Sequence, residues 1–146
     1  MACPPGGVVL REGQGDAAMG LRVAEVQLLN CGTEPYVLEG YPDVKVLDKA
    51  KAPVRVDIGH GSNNVASGTG LDAQPERIVL QPGQHASFSL LWRNLVTDAT
   101  VPATEGRHLE VRPRPGAPLL TLALTRPLDL GNTGRLGLGP WTAAAR

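Results

Sequence analysis

Three histidines and one histidine–serine loop are where this chain could do chemistry. His60, His85 and His108 stand 25 and 23 residues apart, so none lies at the short spacing of a local zinc site. A metal centre built from them would need the fold to bring distant strands together, with Met19 as a further candidate ligand. The run Gly59-His60-Gly61-Ser62 follows Asp57 closely and offers a hydrolase reading. A triad is assembled in space and not by nearness in sequence, and the chain has no Gly-x-Ser-x-Gly elbow. The Gly-x-Gly runs at 13–15 and 68–70 lack the third glycine and strand-to-helix setting of a phosphate cradle. Aspartates are scattered singly, which suggests no calcium loop. The expectation is therefore no catalytic residue, no cofactor and no resident metal. Trp92 has two readings, an indole packed in a core or a platform for carbohydrate or peptide with Arg93 and Asn94 beside it.

The elements that must position these residues read as strands. Leu21 to Asn30 alternates well enough to be a strand, although part of it is also helically spaced, and glycines bracket it. Shorter strands are predicted at Val8–Leu10, at 36–42 ending on Pro42, at 44–47 and at 53–60. Residues 77–92 form a hairpin-like unit in which Pro82-Gly83 suits the centre of a type II turn. Two more strands fall at 107–113 and 119–124. Residues 12–20 and 61–76 read as loops, the second a natural place for mobility or contact. Eight or nine short strands at this spacing predict an all-β, antiparallel β-sandwich of immunoglobulin type, as a single domain over 1–146 with a glycine-rich segment, 126–146, packed on it.

Composition agrees. The 146 residues include 18 glycines and 13 prolines dispersed between apolar runs, and aromatics are only 3%, so the core must be aliphatic. Charge balances at 14 basic against 14 acidic residues with no basic block. A polyanion-binding face needs concentrated positive charge, so no nucleic-acid partner is expected. No apolar run reaches the ~18–20 residues of a membrane span. The expected partner is an unknown protein or glycan, and the expected state a monomer or weak dimer.

Cys3 and Cys31 either form a bridge or stand as two separate thiols. A bridge would tether the N-terminal segment at ~3–4 kcal/mol in the chain-entropy model, and it points to an oxidising compartment, secreted or cell-envelope. No signal peptide is present in the sequence given. Cys3 is also open to being the lipidated first residue of a lipoprotein, which would rule out the bridge.

Residues 28–44 carry a resemblance. Leu28, Asn30, Gly32, Pro35, Leu38, Gly40, Tyr41, Pro42 and Val44, followed by Leu80, Pro82, Gly83 and Ala86, resemble the immunoglobulin-like domain of unknown function of actinobacterial secreted proteins and lipoproteins, over roughly residues 3–112. The family usually has a cysteine where Tyr36 stands; here it is at position 31, so a Cys3–Cys31 bridge would be this chain's own solution. The resemblance implies a fold and a compartment but no mechanism. Tyr36 and Tyr41 are read as structural residues of the corner. The expected function is a non-catalytic extracellular or cell-envelope interaction module. The alternatives are a metal or small-ligand domain using the three histidines, and a hydrolase using His60 and Ser62.

Overall fold

The computed structural model describes residues 3–18, 20–66, 69–96, 100 and 102–143. Among the described residues there are eleven strands and no helix. In chain order they are β1 (Val8–Ala18), β2 (Leu21–Asn30), β3 (Tyr36–Glu39), β4 (Asp43–Leu47), β5 (Asp57–His60) and β6 (Arg77–Leu80), then β7 (His85–Arg93), β8 (Thr104–Arg112), β9 (Leu120–Gly131), β10 (Arg135–Leu138) and β11 (Thr142–Ala143). One sheet runs β1-β2-β7-β10-β5, with β11 also on β7; β3 pairs β6, and β4-β8-β9 form a third sheet. These sheets pack together as a β-sandwich.

Period-two patterning explains the core. Inward positions of β2 and β7 supply Val26, Leu28, Ala86, Phe88, Leu90 and Trp92, and the opposing sheets supply Leu38, Ile78, Leu80, Val46, Leu109 and Val111. Burying each Val, Leu, Ile or Phe among them contributes roughly 1.5–3 kcal/mol against leaving it in water. The C-terminal segment completes this core. Trp141 is 1% exposed, meets Phe88 edge-on with ring centroids 5.0 Å apart, and donates its indole N–H to Pro113 O at 3.1 Å.

Several residues that carry the resemblance turn out to be joints. Asn30, 1% exposed, donates Nδ2 to the carbonyls of Glu34 and Leu80, both at 2.9 Å, and its Oδ1 accepts the Gly32 N–H at 3.0 Å. One side chain thus ties the end of β2 to the next loop and to β6. A Cβ on Gly32 would stand 3.2 Å from Gly7 Cα, which is why a glycine sits there. Cys3 and Cys31 form a disulfide, Cα–Cα 5.6 Å, closing this corner. Gly40 takes φ 77° and turns the chain between β3 and β4, with Pro42 buried behind it. Tyr36 is buried with the Arg114 guanidinium 3.9 Å over its ring; burial raises its phenol pKa and Arg114 opposes that.

Several elements differ from expectation. The strand at Val8–Leu10 runs on to Ala18, taking in residues read as a loop, because Gly13 and Gly15 permit a bulge while pairing continues. Residues 53–60 alternate throughout, yet the strand begins only at Asp57, where β10 becomes available as a partner. Residues 81–84 do form the Pro-Gly turn, with Gln84 N donating to Gln81 O at 2.9 Å and Gly83 at φ 88°. The strands on either side belong to different sheets, so it is a crossing and not a hairpin. The glycine-rich tail holds β10 and β11 and the second half of β9, and the strand count is eleven among the described residues.

The loop 61–76 is anchored. The buried Ser62 donates its hydroxyl to Asp72 Oδ2 at 2.6 Å and its N–H to Oδ1 at 2.9 Å, and it exchanges a hydrogen bond with Thr69 Oγ1 at 2.8 Å. Val65 and Leu71 then pack on Leu91 over the outer face of the large sheet, a second small core.

Candidate functional site

β1 and β9 are facing edges of two sheets, and each bulges. In β1, Glu12 pairs with Val26 and Gly15 with Ala24, so Gly13 and Gln14 stand opposite Glu25. In β9, Ala123 pairs with His108 and Leu128 with Gly106, so residues 124–127 stand opposite Arg107 alone. Pro127 suits this break because it has no N–H to give a ladder. Bulges concentrate at sheet edges and beside functional sites. Here they open a cleft of about 370 Å³ between the sheets.

The floor of the cleft is apolar: Val26, Leu90, Trp92, Leu109, Leu124 and Leu128. Its rim carries charge, and hydrogen bonds hold both ends. At one end the Glu12 carboxylate accepts the N–H of Thr125 at 2.8 Å and of Arg126 at 3.4 Å, while Arg126 Nη2 donates to Gly13 O at 2.5 Å. At the other, Asp129 accepts the Trp92 indole N–H at 3.1 Å, Asn94 Nδ2 at 2.7 Å and Arg22 Nε at 3.3 Å. Asp16, Glu25, Glu12 and Asp129 face only Arg22 and Arg126 among the charged lining residues, so carboxylates outnumber guanidiniums.

Trp92 is 4% exposed, which answers its two readings: the indole is core, with one side lining the cleft, and does not form an open platform. Its two polar neighbours part: Asn94 shares the Asp129 carboxylate with the indole, and Arg93 does not. Arg93 Nε donates to Val65 O at 3.0 Å, on the outer face, whereas Asn94 serves Asp129.

The other candidates are not brought together. His60 lies flat on Tyr41, ring centroids 3.7 Å apart and 3° from parallel. His108 Nδ1 is 3.1 Å from Asp48 O, on another sheet, and His85 opens β7 opposite Leu29. Among the described residues no group of three or more His, Cys, Asp or Glu side chains could hold a metal ion; Met19 lies outside them. The Ser62 hydroxyl is committed to Asp72 and Thr69, so Asp57, His60 and Ser62 form no relay. Its partner Asp72 has a lowered pKa, first through the Ser62 hydroxyl and then the Ser62 N–H, with desolvation opposing.

The cleft itself went unread in the sequence. Its traces were Gly13 and Gly15 in one strand and Pro127 in the other, each a sign of interrupted pairing.

This architecture defines an all-β sandwich whose distinguishing feature is an inter-sheet cleft and not a cluster of reactive groups. The chain belongs to the family described as a domain of unknown function, DUF4232, which matches residues 3–142. That match reaches thirty residues past 112 and takes in β9, β10 and the first residue of β11. No curated protein and no solved structure matches the chain. No helix among the described residues is long and apolar enough to cross a membrane.

Proposed function

We propose that the protein is a non-catalytic, immunoglobulin-like binding module of the extracellular space or cell envelope. Its cleft takes an apolar group presented by a protein or glycan partner. The observation that carries this reading is the cleft: two opposed bulges keep an apolar floor accessible that a regular sandwich would close. Its volume of about 370 Å³ falls in the range of small-molecule sites. The excess of rim carboxylates favours a neutral or basic group over an acidic one. The Cys3–Cys31 bridge supports an oxidising compartment.

The test uses Trp92 as its own probe. In a Trp141→Phe variant, Trp92 is the remaining indole, and its emission is followed during titration with octylamine, octanol and octanoate. Saturable changes in the order amine, alcohol, carboxylate are expected, and they should vanish in Leu124→Phe, whose larger ring occupies the cleft without adding a second indole. No saturable change, or the same change in Leu124→Phe, overturns the reading. Hydrolysis of ester, glycoside or peptide substrates that is abolished by Ser62→Ala would replace it with an enzymatic one.

A further inference from the structure

A second recess lies on the outer face of the large sheet, away from the cleft. It has a volume of about 350 Å³ and is lined by Asn64, Val65, Arg93, Thr133 and Arg135. The two arginines come from adjacent strands. Gly137 of β10 pairs with Leu91 of β7 in antiparallel register; continued two residues past that paired stretch, the register sets Arg135 toward Arg93, and both line the recess. Like charges placed opposite one another across strands are destabilising, and no carboxylate is among the described residues that line the recess.

Neither guanidinium makes an ion pair with a described residue. The ion pairs among the described residues are Arg22–Asp129 and Arg107–Glu105. Asp57, the register partner of Arg135 on β5, makes no ion pair with it. Arg93 spends Nε on Val65 O at 3.0 Å, which fixes its guanidinium and leaves its two Nη groups for a ligand. The opposite wall is fixed as well. Asn63 donates Nδ2 to the carbonyls of Asp57 and Leu136, both at 3.1 Å, and pins the loop from which Asn64 follows into the recess. Thr133 adds a hydroxyl from the turn before β10.

We infer that this recess is an oxyanion site, in which Arg93 and Arg135 hold a phosphate, sulfate or carboxylate group and Asn64 and Thr133 add neutral hydrogen bonds. Guanidinium forks match the geometry of such groups and donate charge-assisted bonds. An anion between them also removes the repulsion that the register builds in. The site is independent of the cleft, and neither depends on the other's ligand.

The experiment is an amide NMR titration of the full chain at low salt with inorganic phosphate, sulfate and acetate in separate arms. Saturable shifts centred on Asn64, Val65, Arg93 and Thr133 are expected. Arg135→Gln, a substitution at an exposed position, should weaken binding about tenfold or more, the value of one charge-assisted hydrogen bond. Asp57→Asn removes the nearest carboxylate along the register and should tighten binding severalfold. Tighter phosphate or sulfate assigns a tetrahedral group, and tighter acetate assigns a carboxylate. Shifts centred instead on Arg112 and Arg114, or unchanged affinity in Arg135→Gln, overturn the proposal.

Discussion

The indole N–H of Trp92 donates to Oδ1 of Asp129 at 3.1 Å, joining β7 to β9 across one end of the cleft. The same carboxylate receives Asn94 and Arg22, so three donors from β2, β7 and the residue after β7 converge on one acceptor. Asp129→Ala leaves the Trp92 donor without its partner, and such a loss costs about 1–3 kcal/mol. Urea denaturation should show a lower midpoint with an unchanged slope, and Trp92 emission should shift as the cleft end loosens. Unaltered stability would show that water replaces the carboxylate at no cost.

Asn30 should prove the most sensitive polar position. Asn30→Ala abandons two carbonyls and one amide around a side chain that is 1% exposed. A loss of about 2–3 kcal/mol is expected. Asn30→Asp keeps the acceptor for Gly32 but turns a carboxylate toward the carbonyls of Glu34 and Leu80, so it should rescue little. Denaturant midpoints of the two variants check both statements.

Reduction of the Cys3–Cys31 bridge, which spans a sequence separation of 28, should cost about 3–4 kcal/mol in the chain-entropy model. Cys31→Ser should match the reduced wild type. Agreement between the two midpoints shows that the covalent closure, and not the thiol's packing, supplies the difference.

The Ser62–Asp72 clamp predicts a pH dependence of definite sign. The Asp72 pKa is lowered from its ordinary 3.8 by the Ser62 hydroxyl first and the Ser62 N–H second. A carboxylate with a depressed folded pKa contributes stability above its unfolded pKa and loses it as pH falls through the folded one. Wild type should therefore exceed Ser62→Ala by a constant margin near neutral pH, and that margin should shrink progressively below about pH 4. Parallel acid limbs in urea midpoints would remove the clamp from the account.

What could be read from the sequence follows from periodicity and turn chemistry. Leu21–Asn30 was legible as a strand because Val26, Leu28 and Asn30 alternate inward, and Pro82-Gly83 was legible as a turn because Gly83 needs positive φ. What joins what was less accessible. The turn at 81–84 suits a hairpin locally, yet the pairing of β6 with β3 and β7 with β2 is decided by which faces are buried, a matter of partners distant in the chain. The cleft was hidden for the same reason: a bulge is a mismatch between two strands, and neither Gly13–Gly15 nor Pro127 discloses the strand it faces. The Cys3–Cys31 pairing was readable because the chain has only two cysteines. The paired arginines could not be seen, since Arg93 and Arg135 stand 42 positions apart and meet only through the β7–β10 register.

The placement of β10 between β7 and β5 has a bearing on how the molecule is made. Until residues 135–138 have been synthesised, the ladder of β5 has no neighbour, and the interior wall that Leu136, Leu138 and Trp141 provide is missing. A nascent chain that stops short of them holds most of its strands but leaves aliphatic surface facing water. Assembly of the large sheet is therefore a late event, completed when β10 and β11 slide in beside β7.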